Sequence, residues 1–99
     1  MSSNNLLEPS IVFDCFAEVN KVPRPSKKEE QIIAFLKAFG ESLGLPVKVD
    51  ETGNVCISKP ATPGHEHRKT VILQSHMDMV CEKNKDVDFD FSKDAIQTY

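Results

Sequence analysis

An α/β fold is predicted by three observations. Two stretches with helical spacing of apolar residues come first, a short alternating pair follows, and a continuous apolar run comes last. The order is helix, helix, strand, strand, strand. The last run, Thr70-Val71-Ile72-Leu73, is rich in β-branched residues and does not alternate. That is the pattern of a central strand covered on both faces.

Pro9 and Ser10 open the first helix, since proline is tolerated in a first turn. Val12, Phe13, Phe16 and Val19 then recur near helical spacing, and Val22-Pro23-Arg24-Pro25 ends the element. Ser26 followed by Glu29 has the spacing of a capping box for the second helix. There Ile32, Leu36, Phe39 and Leu43 form one stripe, broadened by Ile33 and Phe35. Gly44 is placed to close this helix in a left-handed conformation, with Pro46 beyond it. Val47-Lys48-Val49 and Val55-Cys56-Ile57-Ser58 flank the turn-rich Asp50-Glu51-Thr52-Gly53-Asn54, which predicts a hairpin with a loop of about five residues. A polar loop runs from Pro60 to Arg68, and an acidic tail with Phe89 and Phe91 follows Val80. Three strands would leave edges and faces of the sheet open, so residues 1–99 are expected to be the first part of a larger domain.

Composition narrows the function classes. Hydrophobic residues make up 39% of the 99 residues and charged residues 27%, the balance of a soluble globular chain. The net charge is -3 and the 12 basic residues are scattered, which argues against a nucleic-acid partner. There is no apolar run of roughly 18 residues, so no membrane span is expected. The start, Met1-Ser-Ser-Asn-Asn, lacks the features of a signal peptide. Cys15, Cys56 and Cys81 form no CxxC pair and read as reduced thiols of a cytoplasmic protein.

Chemistry concentrates where the apolar run ends, in His76-Met77-Asp78. Ligands of open α/β sheets gather past the carboxyl ends of strands. Residues two apart in extended chain share a side, so Asp78 can hold one ring nitrogen of His76 while the other faces a metal. A structural histidine–aspartate hydrogen bond at a strand end fits the same triplet. His65 and His67 lie in the polar loop without a third ligand and read as solvated. Asp86, Asp88 and Asp90 imitate the opening of a calcium loop, but Phe91 and Gln97 stand where glycine and a bidentate glutamate belong. Cys81 lies five residues after His76, but nothing in the sequence orients a base toward it as a thiol nucleophile requires. No glycine pattern for phosphate binding occurs.

Several segments together resemble the zinc aminopeptidase-like hydrolases, in the aminoacylase and carboxypeptidase-like group of two-zinc metallopeptidases. They are Val22-Pro23-Arg24-Pro25-Ser26-Lys27-Lys28-Glu29-Glu30, Gly53-Asn54-Val55, and above all Leu73-Gln74-Ser75-His76-Met77-Asp78-Met79-Val80. Lys59-Pro60-Ala61-Thr62 and the tail from Phe91 to Tyr99 extend the resemblance to dipeptidases of that group, so that it runs from about Leu7 to Tyr99. Residues 1–99 would then be the N-terminal portion of a metallopeptidase catalytic domain, incomplete by themselves. The resemblance implies a cytoplasmic enzyme that hydrolyses dipeptides, particularly those with C-terminal histidine, using two zinc ions per active site. His76 would be a metal ligand, and Asp78 the catalytic carboxylate that orients it. Cys81 departs from the proline often found just past the motif. The family's bridging aspartate, in a Gly-Ala-Asp-Asn stretch, and its general-base glutamate would lie beyond residue 99, so these residues alone are expected to be inactive. By analogy the full-length enzyme would be a homodimer. The alternative is a non-enzymatic α/β structural or interaction module.

Overall fold

The computed structural model describes residues 7–98. They form helix α1 (Ser10–Asn20), helix α2 (Glu30–Ser42), and strands β1 (Val47–Val49) and β2 (Val55–Ile57). The predicted α/β order therefore holds through its fourth element. The described residues fall into two compact units. One is built from the chain up to Ile32 together with the chain from Asp78 onward, and the other from Ile33–Met77.

In the first unit, α1 begins where predicted. Pro9 sits in extended backbone at the cap, with φ −74° and ψ 133°. At the other end the Val22 amide bonds the Val19 carbonyl at 3.1 Å, and Pro23 and Pro25 prevent further turns. The apolar stripe is only partly covered by described residues. Phe13 and Val19 are half-buried, while Val12 and Phe16 stay exposed. The tail returns to this helix: Ile96 donates its amide to the Asn20 carbonyl at 2.9 Å. Gln31 Nε2 reaches the Ser92 carbonyl at 3.2 Å, and the Phe89 and Phe91 rings pack edge to face with centroids 4.8 Å apart. Ile32 is the described apolar side chain most fully withdrawn from water, at 1% exposure.

The entry to α2 departs from the predicted capping box. The helix begins at Glu30 rather than just after Ser26. Ser26 is diverted because its amide bonds the Met79 carbonyl at 3.1 Å, in an isolated parallel bridge between Pro25 and Met79. The Lys28 amide then bonds the Pro25 carbonyl at 2.9 Å, and Lys27 turns the corner at φ 70°. The Glu29 carboxylate accepts the Lys27 amide instead of closing on Ser26.

In the second unit, α2 is closed by Gly44 as predicted. The Gly44 amide bonds the Glu41 carbonyl at 2.9 Å and the Leu45 amide bonds the Gly40 carbonyl at 3.1 Å. This paired closure needs a left-handed residue, and Gly44 has φ 73°. β1 and β2 pair antiparallel, with Val47 opposite Ile57, Lys48 opposite Cys56 and Val49 opposite Val55. Asp50–Asn54 is the predicted five-residue loop. Its frame is the Asp50 carboxylate, which accepts the Thr52 amide (3.0 Å), the Thr52 hydroxyl (2.8 Å), and the Asn54 amide and Nδ2 (both 2.8 Å). Those bonds, the ones from Asn54 first, lower the Asp50 pKa to about 2.

The hairpin lies against the α2 face that carries Ile33 and Gly40. A Cβ on Gly40 would stand 2.6 Å from Val47 Cγ2 and 3.1 Å from Ile57 Cδ1, so glycine is what allows this approach. Phe39 and Leu43, expected within the packing stripe, stay exposed because the hairpin occupies a different face.

The central strand expected over Thr70–Leu73 is not formed. A strand is secured by its neighbours, and no ladder reaches this segment among the described residues. Val71, Ile72 and Leu73 are 77%, 84% and 92% exposed.

Two outcomes are expected. Gly40→Ala should destabilise by about 1–3 kcal/mol through the clash with Val47, offset by about 1 kcal/mol of helix propensity, read as a lower urea midpoint. Asp50 has a folded pKa below its unfolded 3.8, so its contribution is present above that value and is lost as pH falls toward about 2. Asp50→Asn should therefore flatten the acid limb of an unfolding titration between pH about 4 and 2. An acid limb as steep as that of the parent would refute this role.

Candidate functional site

The His76-Met77-Asp78 triplet straddles the division of the chain, with His76 and Met77 ending the second unit and Asp78 reopening the first. His76 is exposed and Asp78 is half-buried. The residue just after the triplet is held firmly. Met79 donates its amide to the Arg24 carbonyl at 3.0 Å and accepts the Ser26 amide at 3.1 Å. Pro25, between these two, lacks an N–H but is not asked for one, because the bonds use its neighbours.

The loop that receives Met79 is anchored by a side chain. Arg24 Nη1 donates to the Val19 carbonyl at 2.8 Å and lies 3.4 Å from the Val22 carbonyl. The last carbonyls of a helix lack intrahelical partners and carry negative partial charge, so a cation there is doubly favoured. Val22, Pro23, Arg24 and Pro25 also line a shallow depression with Met79 and Cys81.

His65 and His67 are exposed in the polar loop, where the His65 amide bonds the Thr62 carbonyl and the Arg68 amide bonds the His65 carbonyl, at 2.9 and 3.0 Å. Asp90 spends its carboxylate on the Ser92 hydroxyl (2.6 Å) and amide (2.9 Å), which lower its pKa, while Asp86 and Asp88 stay exposed. Cys15, Cys56 and Cys81 are all free thiols, the first two exposed. Cys81 Sγ has only a long contact, 4.0 Å, with the Met79 carbonyl.

Among the described residues, no three histidine, cysteine, aspartate or glutamate side chains gather where they could hold a metal ion. A catalytic zinc normally takes about three protein ligands. These residues alone therefore do not fit a complete zinc centre. No described helix is long and apolar enough to cross a membrane.

No protein-family model matches the chain. It is 44% identical over all 99 residues to the cytosol non-specific dipeptidase of Escherichia coli (strain K12). A crystal structure of aminoacylhistidine dipeptidase from Vibrio alginolyticus superposes on 99% of the chain with a TM-score of 0.92, also at 44% identity. The chain resembles one fifth of a dipeptidase. It spans 20% of the length of each of these two relatives. The resemblance seen from Leu7 to Tyr99 in the sequence is thus borne out over the whole chain, and its relatives are hydrolases of dipeptides by name.

Sequence reasoning missed Arg24 and Gly40. A glycine inside an apolar helical stripe is a signal for close backbone approach and could have pointed to Gly40. Arg24, set between two prolines, carries no comparable mark, because its partners are backbone carbonyls.

Proposed function

We propose that this chain supplies the histidine–aspartate corner of a zinc-dependent dipeptidase active site in a polypeptide of its relatives' length. The observation that carries this reading is 44% identity to a dipeptidase over all 99 residues, a span that contains His76-Met77-Asp78. His76 is the ligand to one zinc ion, and Asp78 is the carboxylate that orients its imidazole, as partners of ligating histidines do. The substrates are dipeptides, those with C-terminal histidine among them, as the name of the Vibrio relative supports. The E. coli relative is a cytosol enzyme, and the cytoplasm is the location proposed here. A homodimer of the full-length enzyme is part of the same reading.

On this reading the chain is inactive by itself. One histidine cannot hold zinc tightly against water, so the isolated 99 residues should release no amino acids from dipeptides. The test places these residues in the E. coli dipeptidase in exchange for the fifth that they match. The chimera should hydrolyse Xaa-His dipeptides. His76→Ala should remove tight binding at one zinc site and most turnover. Asp78→Ala should cost about 10–100-fold in metal affinity or activity while leaving the melting temperature nearly unchanged. Wild-type zinc content and turnover in the His76→Ala chimera would sink the assignment. Loss of all turnover in Cys81→Ser with zinc still bound would point to a thiol mechanism instead.

A further inference from the structure

We infer that Arg24 is a positioning residue for Asp78, acting through the backbone bridge between residues 24–26 and Met79. The inference rests on the proposed role of Asp78 and adds a backbone anchor at the residue next to it.

The apolar segment leading into the triplet pairs with no strand among the described residues. Downstream, Met79 is fixed through both of its backbone polar groups, by the Arg24 carbonyl at 3.0 Å and the Ser26 amide at 3.1 Å. Asp78 is the residue immediately before this clamp. A bridge of two hydrogen bonds is only as rigid as the loop that offers them, and residues 22–26 contain no repeating structure of their own. What ties this loop down is the Arg24 guanidinium on the Val19 carbonyl at 2.8 Å, supported by the Val22 carbonyl at 3.4 Å. The bond is charge-assisted, partly shielded from water, and aimed at the negative end of α1.

The loop is also one the chain would not adopt unaided. Lys27 occupies the left-handed region at φ 70°, where a residue with a Cβ is disfavoured. The surrounding bonds must over-determine that turn. Arg24 contributes to both faces of the loop at once, with its side chain on α1 and its carbonyl on Met79. Releasing the side chain should therefore loosen the carbonyl, then Met79, and so shift the backbone that sets the position of Asp78.

Hydrogen exchange on the 99-residue chain tests the coupling directly. In the parent chain, the Met79 and Ser26 amides should be protected. Arg24→Ala should speed their exchange by at least about tenfold, the scale of one lost charge-assisted hydrogen bond, and leave the Gly44 and Leu45 amides unchanged. Arg24→Lys, which keeps a cation at the helix end, should recover part of the protection. Arg68→Ala, in the exposed polar loop, should change nothing. An unprotected Met79 amide in the parent chain, or one indifferent to Arg24→Ala, would overturn the inference.

The second measurement uses the dipeptidase chimera. Arg24→Ala should lower kcat about tenfold with little change in KM, since it disturbs an orienting group and not a substrate contact. Unchanged kcat beside a damaging Asp78→Asn would defeat this inference alone. Wild-type activity in Asp78→Asn, with Met79 exchange still sensitive to Arg24, would defeat the proposed function and leave the anchor standing.

Discussion

Two backbone hydrogen bonds at Met79 close the first unit. They join the loop after α1 to chain more than fifty residues later, and the tail then folds back onto α1. Bringing such distant segments together costs loop-closure entropy that grows slowly with length, so a few well-made contacts can suffice. Here they are backbone pairing at Met79, the Ile96 amide on the Asn20 carbonyl, and the Phe89–Phe91 ring contact. The end of α1 is the common acceptor. Glu18, Val19 and Asn20 carbonyls receive donors from the helix's own continuation, from Arg24 and from the tail. There is an opposing term, because Asn20 Nδ2 is buried without a hydrogen-bond partner among the described residues. Such a group costs on the order of 1–3 kcal/mol.

The second unit solves a different problem with shorter-range means. Its hairpin has only three residues in each strand, too little to stand alone in water. Two devices compensate. The Asp50 carboxylate ties the loop internally, which defines the register, and the bare Cα of Gly40 lets Val47 and Ile57 reach the helix. The first device is ionic and weakens in acid, whereas the second is steric and indifferent to pH.

The parts legible in the sequence were those governed by local rules. Gly44, the prolines after α1 and the Asp50–Asn54 turn each specify backbone geometry within a few residues, and each formed where predicted. The capping box at Ser26 failed because a partner 53 positions away in the sequence, Met79, competes for the same amide, and no local pattern encodes that competition. The expected strand at Thr70–Leu73 failed for a related reason. Composition can declare a segment suited to a covered strand, but a strand needs neighbours, and the described residues supply none. The His76-Met77-Asp78 triplet was visible as a candidate because its two residue types and spacing are themselves local. The anchor behind it was not, since an arginine bonding backbone carbonyls leaves no complementary residue to recognise.

These differences bear on what the chain can do chemically. A metal centre demands convergence, with about three ligands arriving from separate elements at one point. Convergence requires that the elements themselves be packed, and here the apolar run leading toward His76 remains 77–92% exposed. Such a segment is ill-suited to remain in water, since contiguous exposed apolar residues usually mark a surface that another part of a protein covers. On the proposed reading, the covering of that run and the completion of the metal site are one requirement. The polypeptide that brings further ligands to His76 would also bring the strands that bury Val71, Ile72 and Leu73. Catalytic competence would then be gained with the fold rather than after it, while the downstream clamp at Met79 is already made within these residues.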